Sequence, residues 1–182
     1  MSNILMLAGS PRAGGNTDDC VARAAENFRE SGHEVATIRI ADSHVRPCTG
    51  CRRCMELGRC VITDDDFEGI WNQVKSSDLL ICAAPVYWMG PPGPLKNFID
   101  RTHGYYAHRL PLEGLRAALL SVAADGGCWE PHEKVMGSWL RHYGARMLPS
   151  TRVLARGKGE AMGDAGTVEK LDEWTSRLAA EF

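Results

Sequence analysis

Three stretches of the chain place chemically useful side chains at short spacings. The first is Gly9-Ser10-Pro11-Arg12-Ala13-Gly14-Gly15-Asn16-Thr17, between an apolar run, Ile4 to Ala8, and a helical pattern from about Asp18. A strand that stops at a glycine-rich turn before a helix makes an anion-binding corner. The free N–H groups at a helix N-terminus point outward, and the helix dipole favours negative charge. Glycines let the backbone curl round an anion, Arg12 adds a charged donor, and Ser10, Asn16 and Thr17 add side-chain donors. The lysine of a nucleoside-triphosphate loop is missing, because Gly14 is followed by Gly15 and Asn16; Pro11 stands where the dinucleotide fingerprint needs its second glycine. A small terminal phosphate therefore suits the corner better than ATP or a pyrophosphate. The same residues also read as a plain tight turn with Asn16 or Thr17 as helix N-cap.

The second stretch is Pro85-Val86-Tyr87-Trp88-Met89. Tyr87, Trp88 and Met89 offer flat or polarizable surface beside backbone amides, a wall for a flat heteroaromatic ring with polar edges. Loop aromatics also simply pack on neighbouring loops. The third stretch is Cys48, Cys51, Cys54 and Cys60, spaced C-x2-C-x2-C-x5-C, with Arg52, Arg53 and Arg59 among them. Its first three cysteines match a compact iron–sulfur run. Four thiolates also suit zinc, although zinc sites more often pair two separated C-x2-C units; free thiols are the third reading. Cys20 and Cys82 fall inside elements and read as packing.

Strands are expected at Ile4–Ala8, His33–Ile40, Asp78–Ala84, Arg116–Ala124 and about 146–154. Helices are expected at about 18–30, 67–75, 94–102, 131–143 and 167–180, the second capped from Asp64-Asp65-Asp66. A long connection, Ala41 to Asp65, holds the four cysteines. Strand and helix alternate five times, which predicts one α/β domain over residues 1–182: a doubly wound, five-stranded parallel sheet with helices on both faces, taken in the common order 2-1-3-4-5. Ligands of such sheets bind beyond the strand C-termini where the order reverses. That brings the Ser10–Thr17 turn and the Pro85–Pro94 segment to one crevice, with Asp125, Gly126 and Gly127 next door. A phosphate attached to a flat polar ring describes FMN.

At 182 residues the chain is long enough for a core without disulfides. A net charge of −2 gives no case for nucleic acid or an anionic membrane. No apolar run is long enough to span a bilayer, and the N-terminal run lacks the basic flank and cleavage site of a signal peptide. The expected location is cytoplasmic, where the seven cysteines stay reduced as ligands or free thiols.

The turn at 9–17, then Ala84-Pro85-Val86-Tyr87-Trp88, then Pro94-Leu95-Lys96-Asn97-Phe98-Ile99-Asp100-Arg101, in that order, resemble the NAD(P)H-dependent FMN reductases of flavodoxin-like fold. The resemblance runs from about residue 3 to about residue 127. It implies an oxidoreductase with FMN phosphate at Ser10, Arg12, Asn16 and Thr17. It implies the ring against Pro85, Val86, Tyr87, Trp88 and Met89, with Asp125, Gly126 and Gly127 near its other edge. Hydride would come from NADH or NADPH, or electrons from a ferredoxin-like donor, and pass to a small-molecule or protein acceptor; the flavin supplies that chemistry, so no catalytic side chain is named. The cysteine pattern resembles the iron–sulfur flavoproteins, a branch of the same family, and implies a [4Fe–4S] cluster on Cys48, Cys51, Cys54 and Cys60. A quinone reductase without a cluster and a non-enzymatic FMN/iron–sulfur electron carrier are the alternatives. The resemblance and the aromatic, proline-rich segment Tyr87–Tyr106 also imply a homodimer or homotetramer.

Overall fold

The computed structural model describes residues 1–106, 110–126 and 129–182. In chain order the elements are β1 (Asn3–Ala8), α1 (Asn16–Glu30), β2 (Glu34–Arg39), α2 (Cys54–Leu57), α3 (Phe67–Ser76), β3 (Leu79–Pro85), α4 (Gly93–Arg101), α5 (His103–Tyr106), β4 (Arg116–Ala123), α6 (Trp129–His142), β5 (Arg146–Met147), β6 (Thr151–Leu154), α7 (Glu160–Gly163) and α8 (Ala165–Ala179). All strand pairs are parallel, and the order is β2-β1-β3-β4-β5, with β6 also on β4.

The predicted order holds, but among the described residues the sheet has six strands rather than five. The edge position expected to be one strand over 146–154 is split, β5 pairing Arg116–Ala117 and β6 pairing Leu120–Ala123. Pro149 lies in the gap and has no N–H to give the ladder. The neighbouring Leu119 N–H turns instead to the Ser150 hydroxyl at 3.0 Å.

Strand periodicity builds the two cores. In β1, Leu5 and Leu7 face one layer while Ile4, Met6 and Ala8 face the other; in β3, Leu80, Cys82 and Ala84 oppose Leu79, Ile81 and Ala83. The first layer is aromatic: Phe67 and Trp71 of α3, Phe98 of α4 and Trp139 of α6 pack with ring centroids 5.4–6.4 Å apart. The second is built by α1 and α8, with Cys20, Ala24, Ala25 and Phe28 against Leu171, Trp174 and Leu178. Alanines at the α1 face let helix and sheet approach closely. The helix ends as expected at Ser31, with Gly32 in the left-handed region at φ 85°. Among the described residues, no helix is long and apolar enough to cross a membrane.

Candidate functional site

The chain leaves β1 through Gly9, whose N–H bonds the Ala83 carbonyl at 2.8 Å and keeps the β1 and β3 ends level. A Cβ at Gly9 would stand 2.6 Å from Leu95 Cδ2, so α4 packs against this bend only because residue 9 has no side chain. Ser10 is buried, and its hydroxyl accepts the Arg12 N–H at 3.2 Å, shaping the turn. Gly14 takes φ 59° and donates its N–H to Asp18 Oδ2 at 2.9 Å. Helix α1 starts at Asn16, two residues earlier than the pattern suggested, with Gly15 as a cap that has no side chain to offer. The first-turn N–H groups of α1 therefore have no side-chain cap and stand at a cavity of about 180 Å³, lined by Ser10, Arg12, Gly15, Asn16 and Thr17. Neither Asn16 nor Thr17 is the N-cap. The Asn16 amide is engaged elsewhere: Nδ2 donates to Gly157 O at 2.7 Å, and Oδ1 accepts the Ala161 N–H at 3.2 Å.

Pro85, Val86 and Tyr87 line the same cavity, joined by the strand ends Val122–Ala124 and by Ala155 and Arg156. The two sequence stretches thus meet as the doubly wound topology requires. Val86 N–H holds the wall to β4 through Val122 O at 2.8 Å. Tyr87 and Gly90 exchange backbone hydrogen bonds at 2.9 and 3.0 Å around a two-residue turn, with Trp88 at φ 48° and Met89 at φ 62°. Side chains rarely occupy the left-handed region, and such a turn costs about 1–3 kcal/mol per residue held there. Trp88 and Met89 project from the turn into solvent and do not line the cavity. Asp125 and Gly126, exposed beyond β4, also stand outside its lining, while Gly127 lies outside the described residues, as does Cys128. Arg156 was not visible as a site residue in the sequence. It follows the last strand, and only its position beside Asn16 and Ala124 gives it meaning.

The cysteine loop is tied down by one buried guanidinium. Arg101, the last residue of α4, donates to Asp65 Oδ2 at 2.6 Å, to the carbonyls of Arg46 and Ile62 at 2.9 Å each, and to Cys60 Sγ at 3.0 Å. It also stacks 4.5 Å over the Phe67 ring. The Arg101 and Asp65 side chains are 0% and 1% exposed. Burial pushes the Asp65 carboxyl up, but Arg101 and the N–H groups of Arg46 and Phe67 together hold it below its ordinary value. The neighbouring acids staple the same loop: Asp66 accepts the His44 N–H at 2.7 Å and Asp64 pairs with Arg46 at 2.6 Å. The expected cap of α3 is thus supplied by Asp65, which accepts the Phe67 N–H at 3.2 Å, rather than by Asp66 in the capping position.

Cys48, Cys51, Cys54 and Cys60 line one cavity of about 390 Å³. Gly104 makes room there, since a Cβ on it would stand 2.3 Å from Cys54 Cβ. Four thiols on one wall are the soft donor set that iron–sulfur clusters and zinc take. They are not gathered for ligation, however. Among the described residues, no three His, Cys, Asp or Glu side chains form a group able to hold a metal. The four thiols share this cavity. Arg101 anchors Cys60 at one side, Cys54 starts the short α2, and Cys48 and Cys51 are exposed on a segment with Gly50 and Arg52 in the left-handed region. This cavity and the crevice above α1 share no lining residue. Helix α4 leads from one toward the other, spanning about 13 Å for its nine residues.

Residues 2–159 match the family model described as NADPH-dependent FMN reductase. The chain is 32% identical over 178 residues to an iron–sulfur flavoprotein of Archaeoglobus fulgidus, covering 97% of this chain and 78% of that one. It is 33% identical over 139 residues to an iron–sulfur flavoprotein of Methanosarcina thermophila, covering 76% and 72%. Among solved structures, an NAD(P)H:quinone oxidoreductase from Methanothermobacter marburgensis superposes with a TM-score of 0.74 over 98% of this chain and 94% of that one. At 19% identity it speaks for the flavodoxin-like fold alone. With a family match over most of its length, the chain belongs to the NADPH-dependent FMN reductases and is an NAD(P)H-dependent, FMN-containing oxidoreductase.

Proposed function

We propose that the chain, as one domain, holds the FMN phosphate in the corner of Ser10, Arg12, Asn16 and Thr17. The ring lies along Pro85, Val86 and Tyr87, with Trp88, Met89, Asp125 and Gly126 toward its outer edge. One observation carries this reading: the uncapped start of α1 and the Pro85–Tyr87 wall border a single cavity. When bound, FMN accepts a hydride from a reduced nicotinamide and hands electrons to a second acceptor. The protein's own part is to neutralise the phosphate with Arg12 and helix N–H groups, and to hold the ring edge against the Val86–Tyr87 backbone. Both NADH and NADPH stand as donors, and a quinone or a redox protein as acceptor. The test is to denature the purified holoprotein and identify the released flavin, then follow NADH and NADPH oxidation with a quinone. FMN and turnover are expected. Recovery of FAD would overturn the corner, and FMN without nicotinamide oxidation would make the chain an electron carrier.

A second reading concerns the cysteine loop. We propose that Cys48, Cys51, Cys54 and Cys60 take up a [4Fe–4S] cluster, which supplies one-electron transfer. Support comes from their spacing, their shared cavity and the naming of two relatives as iron–sulfur flavoproteins. Binding requires the Cys48–Cys51 segment to close on Cys54 and Cys60. Anaerobic reconstitution with iron and sulfide is expected to give stoichiometric uptake and a paramagnetic signal on reduction. Cys51→Ser with Cys54→Ser is expected to abolish both. Zinc uptake without sulfide would decide for the zinc site instead. The proposed setting is cytoplasmic, and the proposed assembly is a homodimer or homotetramer.

A further inference from the structure

We infer that Arg156 is a second phosphate-binding residue of the FMN corner, and that Asn16 acts through it as a positioning residue. The inference rests on the reading of the corner given above. The backbone just past β6 is fixed with unusual care for an exposed segment. Ala155 N–H bonds Ala123 O at 2.9 Å, extending the β4 ladder one step beyond the strand. The next residue, Arg156, donates its Nε to Ala124 O at 2.9 Å, which holds the root of the guanidinium at the cavity rim. Glu160 Oε2 accepts the N–H groups of Arg156 and Gly157 at 2.7 and 2.6 Å. Asn16 completes the frame from the other side, bonding Gly157 O and Ala161 N with the two ends of its amide.

Two consequences follow. One N–H and the oxygen of the Asn16 amide are engaged on the 157–161 backbone, which sets the place of the wall that carries Arg156. Arg12, on the turn after β1, and Arg156, on the turn after β6, both line one cavity of about 180 Å³. Among the described residues, neither forms a salt bridge. Two guanidinium groups beside free helix N–H groups match a terminal phosphate dianion, and they discriminate it from an uncharged ribityl hydroxyl.

The experiment titrates apoprotein with FMN and with riboflavin, the same ring and chain without the phosphate, by flavin fluorescence. Arg156→Ala is expected to weaken FMN by about tenfold or more and riboflavin by less than about twofold. Arg156→Lys should recover part of the FMN affinity. Equal losses for both ligands would mean that Arg156 shapes the ring site, and would overturn the inference. Unchanged FMN affinity in Arg156→Ala, with a loss in Arg12→Ala, would overturn it while leaving the corner intact. No loss in either variant would overturn the corner itself. Asn16→Ala should cost little further FMN affinity once Arg156 is Ala, as coupled residues do. Fully additive losses would return Asn16 to direct phosphate contact and remove its positioning role.

Discussion

The described cysteines of this chain have different chemistry because they have different neighbours. Cys20 and Cys82 are buried in the two cores, and burial pushes each thiol up to about 12. Cys51 is exposed, and the Arg53 N–H and the Thr49 hydroxyl stabilise its thiolate and pull its pKa down. Cys54 goes the other way because its sulfur is partly desolvated. Since the thiolate is the nucleophile, metal-free protein treated with iodoacetamide near pH 8 should be labelled at Cys51 well before Cys54. Cys20 and Cys82 should react only after unfolding. Peptide mass spectrometry against time measures the order; Cys82 labelled at a rate near that of Cys51 would show that the β3 core is not closed. Burial of Cys20 and Cys82 was legible from their places inside a helix and a strand. The split between Cys51 and Cys54 was not, because it comes from local backbone donors and partial desolvation.

Arg101 organises the next scale, the junction of α4 with the cysteine loop. Its sequence signal was membership of the Pro94–Arg101 helix pattern, which says nothing of a partner 36 residues upstream. The connection over 41–65 therefore looked like open loop, when it is closed by Arg46, Cys60, Ile62 and Asp65 on one guanidinium. Removing that guanidinium strands a buried carboxylate, which typically costs about 3–5 kcal/mol. Arg101→Met is thus expected to lower stability by that order in urea titrations at neutral pH. The pH dependence has a definite sign. Because Asp65 is held below its ordinary value, its contribution is full above the unfolded carboxylate pKa of about 4 and fades as pH falls through the lower folded value. The gap between wild type and Arg101→Met should therefore shrink in acid. A gap that is constant with pH would place the loss in packing on Phe67 instead.

At the scale of the whole molecule, the doubly wound parallel sheet followed from alternation and apolar runs, because a right-handed βαβ crossover leaves few other arrangements, while its order, and with it the meeting of two distant loops, came with the flavodoxin-like resemblance. The break at Pro149, the short helices of the connections and the wall carrying Arg156 did not, since each depends on contacts across the fold. What the molecule does with its aromatic turn is likewise a matter of the assembly. Trp88 is fully exposed and Met89 is 59% exposed, on a turn that holds both in a disfavoured backbone region. Strain at a turn that leaves a tryptophan in water makes sense where another surface covers it. Tyr87 lines the crevice one residue away, so such a cover would also border the proposed FMN site. The proposed self-association then predicts more than one chain per particle at micromolar concentration with FMN present, measured by sedimentation or light scattering. Trp88→Glu, which puts a charge on the turn, should shift the particle toward a single chain at the same protein concentration. A single-chain mass for wild type would remove the assembly. An unchanged multimer in Trp88→Glu would keep the assembly and move its interface away from this turn.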